Sequence, residues 1–190
     1  MKPELDKTLC EKYPKMFVNR HPDMAATGMC SGLECGDGWY NILDTLCEAL
    51  TNSYTTCIDF GNEQIEDAGD PPQVVVGQVK EKYGTLRFYY HIECQSLKYT
   101  ELCAKYGDNH AAIQNWISNY EKYYNGAVHM AEAMSSRTCE VTGQQGELHS
   151  SGGTRNGWLK TISREHAKAH PNYNYVPWSE IKNEKATETV

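Results

Sequence analysis

Val74-Val75-Val76-Gly77-Gln78-Val79-Lys80-Glu81-Lys82-Tyr83-Gly84-Thr85-Leu86-Arg87-Phe88-Tyr89-Tyr90-His91-Ile92 carries the clearest β signal in this chain. Both halves are rich in β-branched and aromatic residues, and Tyr83-Gly84 between them reads as a short turn, so the pair predicts a hairpin. In the second half Leu86, Phe88, Tyr90 and Ile92 alternate with Arg87, Tyr89 and His91. Successive side chains of a strand point to opposite faces. The first set therefore belongs to the core. Arg87 and Tyr89 belong to the other face, beside Lys80 or Lys82 of the partner strand.

Helical patterns flank the hairpin. Upstream, Glu34-Cys35-Gly36-Asp37-Gly38-Trp39 opens a helix running to about Asn52, with Ile42, Leu43, Leu46, Cys47 and Leu50 at helical spacing. The two glycines allow positive φ or a close backbone approach. A helix N-terminus can also hold an anion, because its N–H groups are unpaired and the dipole is positive there. Downstream, residues 95–106 predict a short helix. Residues 110–136 predict a long one, with Ile113, Trp116, Ile117, Tyr120, Tyr124, Ala127, Val128, Ala131 and Met134 stepping by three and four and Asp108 or Asn109 as its N-cap. At the start, Leu5, Leu9, Tyr13 and Phe17 predict a helix over 4–19 that Pro14 should break. Thr55 to Phe60 reads as a strand or a second short helix. Gly61 to Pro72 reads as an acidic loop.

The expected fold is α+β: a small antiparallel sheet around the central hairpin, packed on two or three helices, with a C-terminal knuckle. The organisation expected is a core domain over 1–136, a knuckle over 137–168 and a tail over 169–190 whose last eight or so residues are disordered.

The 190 residues carry a net charge of −7, with a pI near 5.5 and a mean hydropathy of −0.66. Non-specific binding to nucleic acid or a membrane surface needs a broad basic face, and this balance argues against one. It leaves room for a small basic pocket. No apolar run has the length of a membrane span. The segment Met1-Lys2-Pro3-Glu4-Leu5-Asp6 lacks the apolar core of a signal peptide, so a cytoplasmic protein is expected. The eight cysteines are then free thiols or metal ligands rather than disulfides.

Several stretches together resemble a family of small phage and prophage proteins of unassigned function. They are Glu34 to Trp39, Val79 to Tyr89, Ala131-Glu132, Thr138-Cys139-Glu140, and Trp158 to His166. The resemblance covers roughly residues 30–168 and implies a viral or prophage origin, placing the protein in the host cell cytoplasm. It implies no agreed activity. In that family the last part resembles a zinc ribbon or treble-clef knuckle. Four thiolate or imidazole ligands in two close pairs would close a structural zinc site. Here Cys139 and His166 stand at two of the four positions, and Thr142 and Ser163, poor zinc ligands, stand at the others. The expectation is a knuckle without a cofactor, with Cys139, His149 and His166 as the weak metal candidates. The same frame also resembles HNH nucleases, with His149 as general base. Reactive-thiol chemistry at Cys35 is a further reading, since a helix N-terminus lowers a thiol pKa.

The binding reading rests on three groups that would converge. They are the turn Gly36, Asp37, Gly38 with Trp39, the cations Lys80, Lys82 and Arg87, and the rings Tyr89 and Trp158. Backbone donors, a guanidinium fork and a stacking ring suit a nucleotide or phosphate. For Arg87 the alternative is an internal carboxylate, Asp37 or Glu81. The resemblance, rather than the residue chemistry, implies the function expected: that of a phage accessory binding protein inside the infected cell. It would inhibit a host or defence protein or sequester a signalling nucleotide, through a host protein or an anionic small molecule as partner. A treble-clef, HNH-like metal-dependent enzyme acting on nucleic acid is the alternative.

Overall fold

A computed structural model describes residues 1–20, 28–52, 58–61, 64–65, 70–94, 96–108 and 110–181. The fold is α+β, with the hairpin at its centre. Strands β4 (Gln73–Lys82) and β5 (Thr85–Glu93) pair antiparallel from Gln73 opposite Glu93 to Lys82 opposite Thr85. One bulge falls between Val76 and Gln78. The two-residue turn has φ of +56° at Tyr83 and +77° at Gly84. Positive φ at both positions is the primed geometry whose twist suits a tight hairpin.

The sheet is mixed rather than purely antiparallel. Strand β1 (Leu33–Glu34) lies parallel to β4, with Leu33 opposite Val79, and gives the order β1-β4-β5. Two residues are too short a run to show a periodicity, so β1 has no signature in the sequence.

Helices cover one face of this sheet. They are α1 (Pro3–Lys12), α2 (Tyr40–Thr51) and α4 (Ala111–Ser135), with the shorter α3 (Leu97–Tyr106) beside α4. The helix α1 ends before Pro14, where the ring would clash with the preceding turn. Leu9 joins Trp39, Leu43, Leu46, Cys47 and Leu50 from the α2 region in a single core. The sheet contributes Val76, Val79, Leu86 and Phe88, and α4 contributes Ile113, Trp116, Tyr120 and Tyr124. Tyr124 satisfies its buried hydroxyl by donating to the carbonyl of Pro72 at 2.9 Å.

The β5 edge is not left open at its start. Ser135 Oγ accepts from Leu86 N at 2.8 Å and Glu132 Oε1 accepts from Phe88 N at 3.2 Å. Side chains of α4 thereby complete the ladder that a further strand would have supplied. The N-cap of α4 is His110, whose Nδ1 accepts from Ala112 N at 3.2 Å. Asp108 lies too far upstream to fill that role, and Asn109 is outside the described residues.

The short strands β2 (Ile58–Asp59) and β3 (Gln64–Ile65) pair antiparallel, so part of the stretch read as strand or helix is a strand. Thr55 to Cys57, and Glu63, Glu66 and Asp67 of the acidic loop, lie outside the described residues, as do 182–190.

After α4 the chain builds a second three-stranded sheet from β6 (Glu147–Ser150), β7 (Leu159–Ile162) and β8 (Val176–Pro177), in the order β7-β6-β8. The helix α5 (Arg164–Ala169) follows β7. No helix among the described residues is long and apolar enough to cross a membrane.

Candidate functional site

The glycine turn is occupied by the protein itself. Gly36 N donates to Glu140 Oε1 at 3.0 Å and Gly38 N donates to Glu140 O at 2.8 Å. A Cβ at Gly36 would stand 2.2 Å from Glu140 O, and one at Gly38 would stand 2.2 Å from Cys139 O. Trp39 is fully buried and donates from Nε1 to Thr138 O at 2.8 Å. Asp37 accepts from Lys2 N at 2.7 Å and pairs with Lys2 Nζ at 3.1 Å. The donors that suited an external anion thus hold the segment 138–140. Nor is the neighbouring thiol activated, because burial pushes Cys35 up to about 12.

The hairpin residues share an outer face, as strand alternation requires. Lys80 lies opposite Arg87, Gln78 opposite Tyr89 and Lys82 opposite Thr85. Lys80 Nζ sits 5.4 Å from the centre of the Tyr89 ring. Arg87 donates from Nη1 to Thr85 Oγ1 at 2.7 Å and to Leu86 O at 2.8 Å. Neither suggested carboxylate holds it: Asp37 is engaged by Lys2, and Glu81 Oε1 accepts from Gly84 N at 2.6 Å.

At the tip the hairpin docks on β7, where Thr161 Oγ1 donates to Gly84 O at 2.6 Å. Beside this joint lies a cleft of about 490 Å³ lined by Lys82, Tyr83, Arg155 and Trp158, with Glu81 and Leu159 at its wall. Tyr83 is 68 % exposed and Trp158 is 67 % exposed. Arg155 is steadied from behind: its guanidinium carbon lies 5.1 Å from the Trp178 ring centre, and Nη2 donates to Ile181 O at 3.4 Å. Lys82 Nζ lies 5.5 Å from the Tyr83 ring centre. Burial, with the Glu140 charge nearby, holds the Glu81 carboxyl above its usual range, although the Gly84 N–H pulls the other way. The cleft therefore offers two flat apolar rings and two cations next to one carboxyl group.

The segment 137–168 read as a knuckle has a hydrogen-bonded interior. Cys139 is fully buried, and its Sγ accepts from Thr142 N at 3.4 Å. Burial alone would raise this thiol, but donors from the Thr142 side chain and from the backbone of Thr142, Ser163 and Val141 hold it below the ordinary cysteine value. Ser163 caps α5 by accepting from His166 N at 3.1 Å. His166 stacks on His170 with ring centres 4.1 Å apart, and burial together with the charges of His170 and Lys160 lowers its pKa. His149 on β6 is buried, with Nδ1 against Glu147 O at 2.8 Å. Among the described residues no group of three or more His, Cys, Asp or Glu side chains could hold a metal ion.

No known family model matches this chain, and no curated protein or solved structure matches it significantly.

Of the residues singled out in the sequence, Lys82 and Trp158 meet in the cleft. Lys80, Arg87 and Tyr89 lie on the adjoining strand face. The glycine turn and Trp39 serve the junction with the knuckle instead. Sequence reasoning missed Tyr83 and Arg155, and it named Glu81 as a partner for Arg87 rather than as part of the cleft. Tyr83 carried a signal of its own, since a bulky residue in a two-residue turn where Asn or Gly is favoured asks for a reason. Arg155, in a run of small and polar residues, carried none.

Proposed function

We propose that this chain is a non-catalytic accessory protein of the phage type that acts by binding, and that its ligand is a nucleotide held in the cleft between the hairpin tip and β7. One observation supports this above all: Tyr83 and Trp158, both largely exposed, line the same opening as Lys82 and Arg155. A planar base gains by stacking on an aromatic face, by about 1–3 kcal/mol per base. A phosphate gains by meeting a guanidinium fork and an ammonium. Exposed rings cost solvation, and together with two cations that form no ion pair among the described residues they describe a surface whose complement is flat at one end and anionic at the other. In an infected bacterium such a site suits the sequestration of a signalling nucleotide, as the resemblance to phage proteins suggests. A host or defence protein presenting a similar anionic group is the other partner this role admits.

The test is calorimetric titration with a panel of nucleoside mono-, di- and triphosphates and cyclic dinucleotides. Binding by at least one member, weakened about tenfold or more in Trp158→Ala and in Arg155→Ala with melting temperatures unchanged, is the expected result. Binding that ignores both substitutions, or no binding across the panel, overturns it. His149 supplies the control for the treble-clef enzyme alternative. Cleavage of labelled DNA, RNA or cyclic nucleotides with Mg²⁺, Mn²⁺ or Zn²⁺ that disappears in His149→Ala would replace the binding reading with catalysis.

A further inference from the structure

The cleft does not end at Lys82. That residue belongs at once to the cleft and to the outer face of the hairpin, where Thr85 lies opposite it. One step along the same face Lys80 pairs across the ladder with Arg87, and one step further Gln78 pairs with Tyr89. The Arg87 side chain turns toward the tip, since Nη1 reaches Thr85 Oγ1 at 2.7 Å. Tyr89 is 47 % exposed and carries Lys80 Nζ 5.4 Å from its ring centre. Three cations, Lys80, Arg87 and Lys82, therefore lie between the Tyr89 ring at one end and the Tyr83 and Trp158 rings with Arg155 at the other.

A strand advances about 3.3 Å per residue, so the four steps of β5 from Thr85 to Tyr89 cover about 13 Å before the turn and the cleft are added. A mononucleotide fills only the cleft. A basic track with interleaved aromatic side chains is the arrangement that binds a single strand of nucleic acid: cations follow the phosphates, and every base offers a face to stack. A duplex does not fit this chemistry, because its bases are already stacked on one another. The net charge of −7 bears on the molecule as a whole. It makes non-specific coating unfavourable and confines binding to this one face.

Resting on the cleft reading above, we propose that the ligand is a short single-stranded segment of nucleic acid, with one base in the cleft between Tyr83 and Trp158 and its neighbours running along the Lys80–Arg87–Tyr89 face. DNA and RNA share this chemistry, and the two arms of the experiment separate them.

The experiment is fluorescence anisotropy of the full chain with labelled oligothymidylate and oligouridylate of about twelve nucleotides, a length within the usual range of single-strand sites. The matching mononucleotides are titrated by calorimetry. Lys80→Ala, Arg87→Ala and Tyr89→Ala alter exposed or half-buried positions, and thermal melting confirms their folding. In at least one arm the oligomer is expected to bind about tenfold or more tighter than its mononucleotide. Each of the three substitutions is expected to weaken the oligomer about three- to tenfold and leave the mononucleotide unchanged. Up to four cations on the track give an expected slope of log affinity against log salt between about −2 and −3. Equal affinity of oligomer and mononucleotide in both arms, with mononucleotide binding still lost in Trp158→Ala, overturns the track and leaves the cleft standing. Failure of both forms to bind overturns the two together.

Discussion

Gly36 N donates to Glu140 Oε1 at 3.0 Å, a bond between residues 104 positions apart. The same Glu140 accepts from Gly38 through its backbone carbonyl at 2.8 Å and pairs through Oε2 with Lys160 Nζ at 3.0 Å. One buried carboxylate therefore caps the turn before α2, receives the knuckle's lysine and holds two distant parts of the chain in register. Burial by itself would lower the pKa of Lys160, but the Glu140 charge and hydrogen bond raise it. A half-buried pair satisfied on both sides in this way is costly to break from one side only.

The close approach at this junction makes Gly38 sensitive to any side chain. A methyl group there would meet Cys139 O at 2.2 Å and Gly143 N at 2.4 Å, both backbone atoms that cannot swing away. Gly38→Ala is expected to destabilise by about 3 kcal/mol or more, at the upper end for single substitutions. Glu140→Ala, which removes acceptors and leaves Lys160 unpaired but adds no clash, is expected to cost about 2 kcal/mol. Urea unfolding of the three proteins gives both numbers, and a Gly38→Ala protein as stable as the parent contradicts the tight junction.

Much of the fold was legible because it follows from strong local patterns. The 86–92 alternation and the 110–136 spacing each extend over enough residues for one period to dominate. The β1 strand, the alliance of the glycine turn with Glu140, and the capping of the β5 edge by Ser135 and Glu132 were not legible. Each joins residues far apart in sequence, through single hydrogen bonds that leave no periodic trace. The candidate site shows the same division. Lys80, Arg87 and Tyr89 follow from alternation, whereas Arg155 reaches the cleft only through the packing of Trp178 behind it. A glycine-rich helix start reads equally well as an anion site or a close backbone junction, and only the location of Glu140 decides between them.

The resemblance to a zinc knuckle puts Cys139, Thr142, Ser163 and His166 at the four ligand positions. Cys139 and Thr142 approach within hydrogen-bond distance, and the Ser163 backbone also reaches the thiol. Two ligands do not make a tetrahedral site, so purified protein is expected to carry well under one zinc per chain by elemental analysis. Thr142→Cys combined with Ser163→Cys supplies four ligands with His166, and that variant is expected to bind about one zinc and melt higher with the metal than without it. Near-stoichiometric zinc in the parent protein contradicts this account.

Asp6 ties α1 to Arg20 and to the start of β1. Its carboxylate accepts from Arg20 Nε at 2.9 Å and from Leu33 N at 2.9 Å. Burial would raise its pKa, but the Arg20 and Leu33 donors overcome this and hold it below the usual carboxylate value of 3.8. A group whose folded pKa is depressed contributes its stability above the unfolded pKa and loses it as the pH falls through the folded one. The contribution is therefore complete only above about pH 5 and is lost progressively as the pH falls below that. Asp6→Asn is expected to cost about 2 kcal/mol at neutral pH. It should also flatten the acid limb of stability measured by denaturant titration from neutral pH down to about pH 2. An equally steep acid limb in the variant would assign that limb to Asp37, Asp44 or Glu147, whose carboxyls are also held low.

Arg87 stabilises little. Its partners are a neighbouring hydroxyl and a local carbonyl on the outer face of the sheet. Arg87→Ala is expected to shift stability by under about 1 kcal/mol, the ordinary range for a surface substitution. A loss of about 3 kcal/mol or more in thermal or urea unfolding would show that the guanidinium holds a buried partner, and would move Arg87 from the ligand surface into the architecture.

Tyr83 carries the sharpest test, because stability and binding should move in opposite directions. Its φ of +56° lies in the left-handed region, where a bulky side chain crowds its own backbone. Asn or Gly ordinarily fills this turn position, and strain kept at a non-glycine residue tends to mark function. Tyr83 has little packing to offset that cost, since its ring stands largely in solvent. Tyr83→Asn relieves the backbone and removes one wall of the cleft. Unfolding midpoints should rise, corresponding to about 0.5–1 kcal/mol of added stability. Affinity for the nucleotide that binds the parent protein should fall about tenfold, the value of one stacking face. A variant that loses stability would mean that the tyrosine is held by packing. A variant that gains stability and keeps its full affinity would remove Tyr83 from the site and leave Trp158 as its single stacking ring.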